Sequence, residues 1–317
     1  MKVITLFIGL LSLQFFFVHP AAGQEPQPAV AQASHLGTRQ KSQPPVTQKS
    51  LRDSLENIAK DARGTVGVSL LYKSTDRRIS LHGNEHFPMQ SVFKFPLTLY
   101  ILHEVDNGKL TLDQKIHIDQ KDWPAKIWSP LRDSLKGQAA IVPLRTLLQY
   151  TVSKSDNGGC DVLFKLAGGT RVVNDYIHQI GIKDIAIVAT EAEMAKAWDV
   201  QYGNWCTPVA MTSLLELFMN GKILKPATTK TLMQLMINTT TGPARIKGLL
   251  PPGTPVAHKT GTSNTNDKGI TAATNDAGII TLPDGKPLII TVFVKDAAAD
   301  EATREKVIAR IAVAAYK

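Results

Sequence analysis

The sequence predicts a mixed α and β fold in which both chain ends build one antiparallel sheet, with flanking helices, and an all-helical lobe is inserted between them. Two observations predict it. Apolar segments rich in β-branched residues occur near both ends, and helical periodicity dominates the middle. At 317 residues the chain can also bury a large core. Two lobes imply a cleft between them, which is the usual place for a ligand site.

The first 49 residues are predicted to be a targeting segment and a linker. Residues 1–23 resemble a signal peptide, because Lys2 precedes an apolar run at Val3–Val18 and small residues follow it. The alternative is an uncleaved anchor that tethers the protein to a membrane. Residues 24–49 are rich in Pro, Gln and Ala, which is typical of a flexible leader. We therefore expect an exported, periplasmic protein without stable membrane association after cleavage.

The folded domain is expected to span residues 50–317, with a sheet lobe at about 50–88 and 240–317 and a helical lobe at about 89–239. The sheet lobe opens with an apolar helical stripe at Ser50–Arg63. Two strands follow at Thr65–Tyr72 and Ile79–Leu81, joined by a turn.

Periodicity of 3.6 residues governs the middle of the chain, and strand patterns return after it. Helices are predicted at Val92–Val105, Leu144–Tyr150, Gly159–Ala167, Val172–Ile180 and Pro208–Met219. Strands are predicted at Pro255–Thr260, Ala272–Leu282 and Pro287–Val294, before a closing helix at Asp300–Ala315. The Pro283-Asp284-Gly285 sequence indicates a hairpin between the last two strands.

Composition excludes several classes of function. The formal charge of +9 comes from scattered basic residues without interleaved aromatics, so we expect a solvated surface and no nucleic-acid partner. The two cysteines, Cys160 and Cys206, lack metal-ligand spacing and are expected to be thiols, with Cys160 in the core. The histidines form no cluster, so no metal site is expected.

A serine and a lysine three residues apart stand where a turn-rich segment gives way to helical periodicity. These are Ser91 and Lys94. Positions i and i+3 share one helix face, so the Lys94 amine can reach the Ser91 hydroxyl. A serine becomes a nucleophile only beside a proton acceptor, and a desolvated amine can serve. Alone, the pair is equally typical of a helix-starting serine followed by a surface lysine.

Two further short motifs lie downstream. Ser155-Asp156-Asn157 follows a predicted helix, and in an extended loop Ser155 and Asn157 would point to the same side, although a simple turn fits too. Lys259-Thr260-Gly261 falls in a strand pattern, where the missing side chain of Gly261 would let a ligand lie against the strand. Simple alternation aims Thr260 at the other face.

Together, the three motifs S-x-x-K, S-D-N and K-T-G resemble those of the class A serine β-lactamases and penicillin-binding proteins. The resemblance to class A enzymes covers Leu51–Lys317 and extends to the spacings, because Ser155 follows Ser91 by 64 residues (155 − 91) and Lys259 follows Ser155 by 104 (259 − 155). It implies a β-lactamase/D,D-peptidase-like fold. It also implies hydrolysis of β-lactams through a serine acyl-enzyme, with antibiotic resistance as the consequence.

A glutamate distinguishes enzymes that hydrolyse their acyl-enzyme from proteins that stay acylated. Class A enzymes carry a general-base glutamate in a loop between the second and third motifs, whereas penicillin-binding proteins lack it. Glu191 has the family spacing, and Glu193 competes with it as a solvated charge. The family's usual loop partners are replaced by Ala189 and Ala195, so the loop must be braced differently.

The resemblance also assigns roles to individual residues. Ser91 would be the nucleophile, and Lys94, Glu191 or both would take its proton. Ser155 would protonate the leaving nitrogen with help from Lys259. The oxyanion would be held by backbone N–H groups of Ser91 and Thr262. The expected substrate-binding residues are Asn157, Thr260, Thr262, Arg245 and Trp128.

Two of these residues, Arg245 and Trp128, could instead have a purely structural role. Arg245 precedes Lys259 by fourteen residues and suits a substrate carboxylate, but it could be a surface arginine. Trp128 occupies a cleft-rim position, but it could be a core residue. Gln90, the loop around Glu191 and the long Ser263–Thr271 stretch resemble the extended-spectrum, cephalosporin-hydrolysing branch. No cofactor is expected, and we expect a monomer.

Two other functions share the first motifs. A D,D-peptidase would act on peptidoglycan peptides and stay acylated by β-lactams, and Glu191 argues against it. A non-catalytic sensor would become acylated by antibiotic, and it would call for an attached membrane or signalling segment that the sequence does not indicate.

Overall fold

The structure is a computed structural model, and it describes residues 48–123 and 127–317. The predicted signal peptide and the leader up to residue 47 lie outside these residues. The described residues belong to one unit that runs from Val46 to Lys317. Within the part of the chain that the structure describes, no helix is both long enough and apolar enough to cross a membrane.

Strands and helices are named in chain order. The strands are β1 (Thr65–Tyr72), β2 (Arg77–Leu81), β3 (Phe87–Pro88), β4 (Lys115–Ile118), β5 (Ala140–Pro143), β6 (Ile185–Ala186), β7 (Trp205–Cys206), β8 (Val256–Thr262), β9 (Thr271–Thr281) and β10 (Pro287–Ala297). The α-helices are α1 (Gln48–Ala59), α2 (Lys94–Asp106), α3 (Pro130–Ser134), α4 (Leu144–Ser153), α5 (Asn157–Ala167), α6 (Thr170–Gln179), α7 (Glu191–Met194), α8 (Pro208–Met219), α9 (Pro226–Ile237) and α10 (Glu301–Tyr316). Short 3-10 turns occupy Lys60–Ala62, Gln90–Phe93, Gln120–Asp122 and Trp198–Gly203.

Both chain ends contribute to a five-stranded antiparallel sheet with the order β2-β1-β10-β9-β8. β1 pairs with β10, so that Thr65 lies opposite Lys295 and Tyr72 lies opposite Leu288. The predicted fold class is therefore confirmed, because segments from opposite ends of the chain form the centre of the sheet and most of the helices lie between them in sequence. β8 is an edge strand, and this leaves one of its sides open.

The two faces of the sheet pack against different hydrophobic cores. The sequence of β10 is almost continuously apolar because its side chains enter both cores. Ile290 and Val292 face a cluster shared with α1 and α10. Ile289 and Phe293 face the other cluster, where α8 packs against β1 and β10. A strand covered on both faces has no position for an exposed polar side chain. The buried hydroxyl of Thr291 has a hydrogen-bond partner, because it lies 3.0 Å from the hydroxyl of Thr212.

The predicted bounds agree with the structure for several elements. β1 and α8 begin and end at the predicted residues, and α10 is displaced by one residue at each end. The sequence does not predict α9, the short strands β3 to β7, or the start of α1 at Gln48. Both cysteines are free and buried, with Cys160 on α5 as expected.

Candidate active site

Ser91 and Lys94 lie where a 3-10 turn becomes α2. Ser91 belongs to the turn Gln90–Phe93, and Lys94 is the first residue of the α-helix. The Lys94 ammonium donates to the Ser91 hydroxyl at 2.8 Å. The i, i+3 contact that the sequence suggests is therefore present.

The Lys94 side chain is fully buried and surrounded by oxygen atoms. Besides Ser91, its Nζ contacts the backbone oxygen of Ser155 at 3.0 Å, Oδ1 of Asn157 at 2.6 Å and Oε1 of Glu191 at 2.7 Å. An ammonium has three N–H donors, so four acceptors share three hydrogens. Lys94 consequently connects the first motif, the second motif and the glutamate of the loop.

Glu191, rather than Glu193, faces the serine. Glu191 is buried, and its Oε1 lies 3.3 Å from the Ser91 hydroxyl. Glu193 is exposed, and its carboxylate accepts from the backbone N–H and the hydroxyl of Thr190 at 2.8 and 3.1 Å. Glu193 therefore caps the short helix α7 and points away from the nucleophile.

Two residues that the sequence analysis missed hold this loop. Asp161 on α5 accepts from the backbone N–H groups of Glu191 and Ala192 at 2.8 and 2.9 Å. Asn204 accepts from the N–H of Ala189 at 2.9 Å and donates to its carbonyl at 2.7 Å. Asp161 follows Asn157 by one helical turn, and this i, i+4 spacing was the signal that could have found it.

The Asp161 carboxyl is an unusual anchor because it is partly buried. Burial raises its pKa to about 6, and the neighbouring Glu191 charge adds to the increase, while the two backbone N–H groups oppose it. The loop that carries the glutamate thus depends on a carboxylate that is protonated in mildly acidic solution.

The second motif is shaped by Asp156. Its carboxylate accepts from the N–H of Gly159 and of Leu131, both at 2.6 Å, and from the Ser129 hydroxyl at 2.9 Å. These bonds cap α5 and hold the preceding Ser155 with φ of 56°. The turn presents the Ser155 hydroxyl to the third motif.

The third motif lies on β8, and Lys259 contributes a buried cation. Its Nζ donates to the Ser155 hydroxyl at 2.9 Å. Burial, and then the Lys94 charge, lower the pKa of Lys259 well below its ordinary value, whereas Glu191 and Asp276 oppose the change. The charged form of Lys259 is therefore less favoured than that of a solvated lysine.

β8 approaches the nucleophile's turn closely at Gly261. A Cβ at this position would lie 2.3 Å from the carbonyl oxygen of Met89. The interpretation of Gly261 as space for a ligand is therefore wrong, because the glycine makes room for the chain beside Ser91. Since the Ser263 N–H bonds β9 at Ala273, the N–H of Thr262 points to the open edge of the sheet.

Arg245 and Thr260 lie behind the cleft wall. The Arg245 guanidinium is buried and donates to Glu305, to the carbonyls of Gly261 and Asn275, and to the Thr262 hydroxyl at 2.8 Å. It is not a surface arginine. The Thr260 hydroxyl is buried and lies 2.5 Å from the hydroxyl of Thr241. The structure places Thr262, rather than these two residues, at the cleft.

The cleft has a volume of about 610 Å³ and contains the Ser91 site. Trp128 lies at its rim, 62% exposed, with its indole N–H bonded to the Lys154 carbonyl at 3.1 Å. It is therefore not a core tryptophan. Other lining residues, which the sequence analysis did not identify, are Ile127, Met194, Lys196, Ala197, Trp198, Gln201 and Asn264.

This arrangement suits acyl transfer. A serine hydroxyl is in contact with a buried amine and a buried carboxylate, a second serine is bonded to a buried lysine, and an N–H group faces the cleft beside them. Such a site can activate a nucleophile, stabilise an oxyanion and protonate a leaving group.

Comparison with known proteins gives the same assignment. The family described as "Beta-lactamase enzyme family" matches residues 50–317. The chain belongs to this β-lactamase family. It is accordingly a class A serine β-lactamase, an enzyme that opens the β-lactam amide bond, and the D,D-peptidase alternative is not favoured.

Curated relatives and solved structures are similar over most of their length. The chain is 45% identical over 267 residues to the extended-spectrum beta-lactamase PER-1 of Pseudomonas aeruginosa, covering 84% of this chain and 86% of the relative. It is 43% identical to beta-lactamase VEB-1 of the same organism over 260 residues, covering 81% and 86%. A beta-lactamase structure from Chitinophaga pinensis is 51% identical with a TM-score of 0.82, covering 84% of this chain and 98% of that one.

Proposed function

We propose that this β-lactamase works through an acyl-enzyme on Ser91 and favours cephalosporins. The single observation that carries the mechanism is the position of the Ser91 hydroxyl, which is 2.8 Å from Lys94 Nζ and 3.3 Å from Glu191 Oε1. Glu191 can take the hydroxyl proton as a carboxylate, and Lys94 can take it only as a neutral amine; either acceptor supports the same reaction.

In acylation, Ser91 Oγ bonds to the carbonyl carbon of the β-lactam and the ring C–N bond breaks. The N–H groups of Ser91 and Thr262 hold the oxyanion, and the open-edge direction of the Thr262 N–H supports its part. Ser155 gives its proton to the departing nitrogen and receives the proton that left Ser91, while the Lys259 ammonium, 2.9 Å away, assists electrostatically.

In deacylation, Glu191 takes a proton from a water molecule, and the resulting hydroxide oxygen bonds to the acyl carbon. The bond from Ser91 Oγ to that carbon then breaks, and the proton returns to the serine. Burial of Glu191 and its backbone anchorage on Asp161 support this role, since the carboxylate is held near the reacting atom.

Substrate binding involves the two sides of the cleft. Thr262, oriented by Arg245, receives the substrate carboxylate, and Arg245 and Thr260 contribute through the polar cluster behind it. Asn157 contacts the substrate amide while its Oδ1 orients Lys94. Trp128 offers an exposed ring for stacking at the rim.

The proposed preference for cephalosporins rests on similarity to extended-spectrum enzymes and on the volume of the cleft. Relatives named as extended-spectrum enzymes are 45% to 46% identical, including the solved structure of TLA-1 with a TM-score of 0.83. A cleft of about 610 Å³ can hold a substrate with a bulky side chain.

We further propose that residues 1–23 are removed on export and that residues 50–317 act in the periplasm as a monomer. Residues 24–49 would link the cleavage point to the catalytic domain. Neither a cofactor nor a metal enters the proposed reaction.

The test is turnover of a chromogenic cephalosporin by the protein that begins near Gln24. We expect many turnovers for each enzyme molecule, and none for Ser91→Ala. A single stoichiometric burst followed by no further colour would instead support a D,D-peptidase or a sensor and would contradict the proposal. Comparing benzylpenicillin with a bulky cephalosporin at equal enzyme concentration tests the preference, which fails if the penicillin has the higher kcat/KM.

A further inference from the structure

The wall of the cleft that the Glu191 loop forms carries a cation that the catalytic steps do not use. This cation is Lys196, which follows Glu191 by five residues (196 − 191) and lines the cleft with an exposed side chain. Its neighbours Ala195 and Ala197 are exposed too, and both line the cleft. Lys196 is the only one of the three with a long side chain, and its flexible four-carbon stem lets the ammonium move within the cleft.

The Lys196 ammonium is not held by a carboxylate of the protein. Within residues 48–123 and 127–317, no acidic side chain forms an ion pair with it. The nearby Glu193 carboxylate instead accepts from the backbone N–H and the hydroxyl of Thr190, at 2.8 and 3.1 Å. Asp199 is exposed but does not line the cleft. The ammonium is therefore available to a negative charge that a substrate brings.

Lys196 also gives the cleft a positive charge that no other lining residue neutralises. Among the described residues that line the cleft, the only other charged side chain is Glu191. The Glu191 carboxylate already lies 2.7 Å from the ammonium of Lys94. A cation without a counter-ion in a cleft attracts anionic ligands, and a carboxylate is a suitable partner for an ammonium.

The position of Lys196 differs from the place proposed for the carboxylate on the substrate's ring system. That carboxylate is assigned to Thr262 on β8, whereas Lys196 lies just after α7. Helix α7 packs against α5, and α5 begins at Asn157, the residue proposed to contact the substrate amide. A substituent on the acyl side chain of that amide therefore lies towards the wall that carries Lys196.

We propose that Lys196 is a specificity-determining residue that pairs with a second carboxylate, carried by the acyl side chain of the substrate. Cephalosporins with such a side chain bind more tightly than their neutral analogues, while the chemistry at Ser91 is the same for both. This inference rests on the proposed function, because it requires the substrate amide to be held at Asn157.

The test uses two cephalosporins that differ only in one group on the acyl side chain, a carboxylate in one and a primary carboxamide in the other. Lys196→Gln removes the charge and keeps a polar side chain. We expect kcat/KM for the carboxylate substrate to fall about fivefold, mainly through a higher KM, and kcat/KM for the carboxamide to change by less than about twofold. Lys196→Glu should lower kcat/KM for the carboxylate substrate by about tenfold or more, because like charges repel.

The matched control is Lys222→Gln, since Lys222 is exposed and does not line the cleft. It should leave kcat/KM for both substrates at the wild-type level. Salt provides a second readout, because ions screen exposed charges. In the wild type, the ratio of kcat/KM for the carboxylate substrate to that for the carboxamide should decrease as NaCl is raised from about 0.05 M to about 0.5 M. In Lys196→Gln this ratio should depend much less on salt.

The proposal is overturned if Lys196→Gln lowers kcat/KM equally for both substrates, or leaves kcat/KM for the carboxylate substrate unchanged at low salt. Equal thermal midpoints for the wild type and the variants, as expected for an exposed position, show that the comparison is made between folded proteins. Failure of the proposed function is distinct, because the wild-type protein would then turn over neither substrate repeatedly.

Discussion

The ammonium of Lys94 lies 2.7 Å from the carboxylate of Glu191, and both side chains are withdrawn from solvent. The Ser91 hydroxyl contacts both of them, at 2.8 and 3.3 Å. One buried ion pair therefore serves both halves of the reaction. Its carboxylate can accept the serine proton in acylation, and the same carboxylate lies where a water molecule must be activated for deacylation.

Asp161 should make the enzyme sensitive to mild acid. Its pKa is raised to about 6, so the carboxylate that anchors the Glu191 loop is ionised above this pH and protonated below it. We expect kcat to fall as the pH decreases through about 6. Asp161→Asn should lower kcat at neutral pH by about tenfold or more and remove this acidic limb, because the amide cannot accept from both N–H groups equally well. Steady-state pH profiles of both proteins check this, and an unchanged limb in the variant would contradict it.

The raised pKa of Asp161 also has a consequence for stability. The group binds protons more tightly in the folded state than its ordinary value of 3.8 implies, so folding stability should decrease as the pH rises from about 4 to about 6. The difference in unfolding free energy between the wild type and Asp161→Asn should change over this window. A difference that is constant across it would show that the carboxyl titrates normally.

Arg245 should contribute to stability as well as to substrate binding. Arg245→Gln leaves Glu305 and two backbone carbonyls without their donor, so we expect a loss of about 3 kcal/mol in unfolding free energy. We also expect a higher KM, because the Thr262 hydroxyl loses its partner. Denaturant unfolding and steady-state kinetics measure both. The control is the exposed Arg171→Gln, which should change stability by less than about 0.5 kcal/mol.

Trp128 should affect binding without affecting the fold. Its side chain is 62% exposed at the cleft rim, so Trp128→Ala should raise KM several-fold and leave the thermal midpoint nearly unchanged. Val188→Ala provides a control, since Val188 is similarly exposed and does not line the cleft. A large loss of thermal stability in Trp128→Ala, with KM unaltered, would assign the ring a structural role instead.

Elements with strong local signals could be predicted from the sequence, and those that depend on distant contacts could not. β1 and β10 are buried on both faces, so their continuous apolar runs are unambiguous. α9 carries several threonines and begins against Asp106, which accepts from the N–H of Lys225 and the hydroxyl of Thr228. Its start is fixed by a residue far away in the sequence, so local propensity did not reveal it.

The active-site residues also divide into those with a local sequence signal and those that depend on distant contacts. Short motifs identify Ser91, Lys94 and Ser155, because their chemistry requires those residue types. Asp161 carries no such motif, and apart from its i, i+4 spacing from Asn157 its importance follows from two backbone N–H groups on another segment. The role of Gly261 could not be predicted from the strand pattern, because the atom that approaches it belongs to the chain beside the nucleophile.

The most direct test of the mechanism is intact-protein mass spectrometry of Glu191→Gln and Glu193→Gln after mixing with a cephalosporin. We expect Glu191→Gln to accumulate one acyl group per molecule, located on Ser91 by peptide mapping, because deacylation should slow by at least about 100-fold. Glu193→Gln loses only a helix cap and should return to its unmodified mass, as the wild type does. Accumulation in Glu193→Gln, or wild-type turnover by Glu191→Gln, would contradict the account.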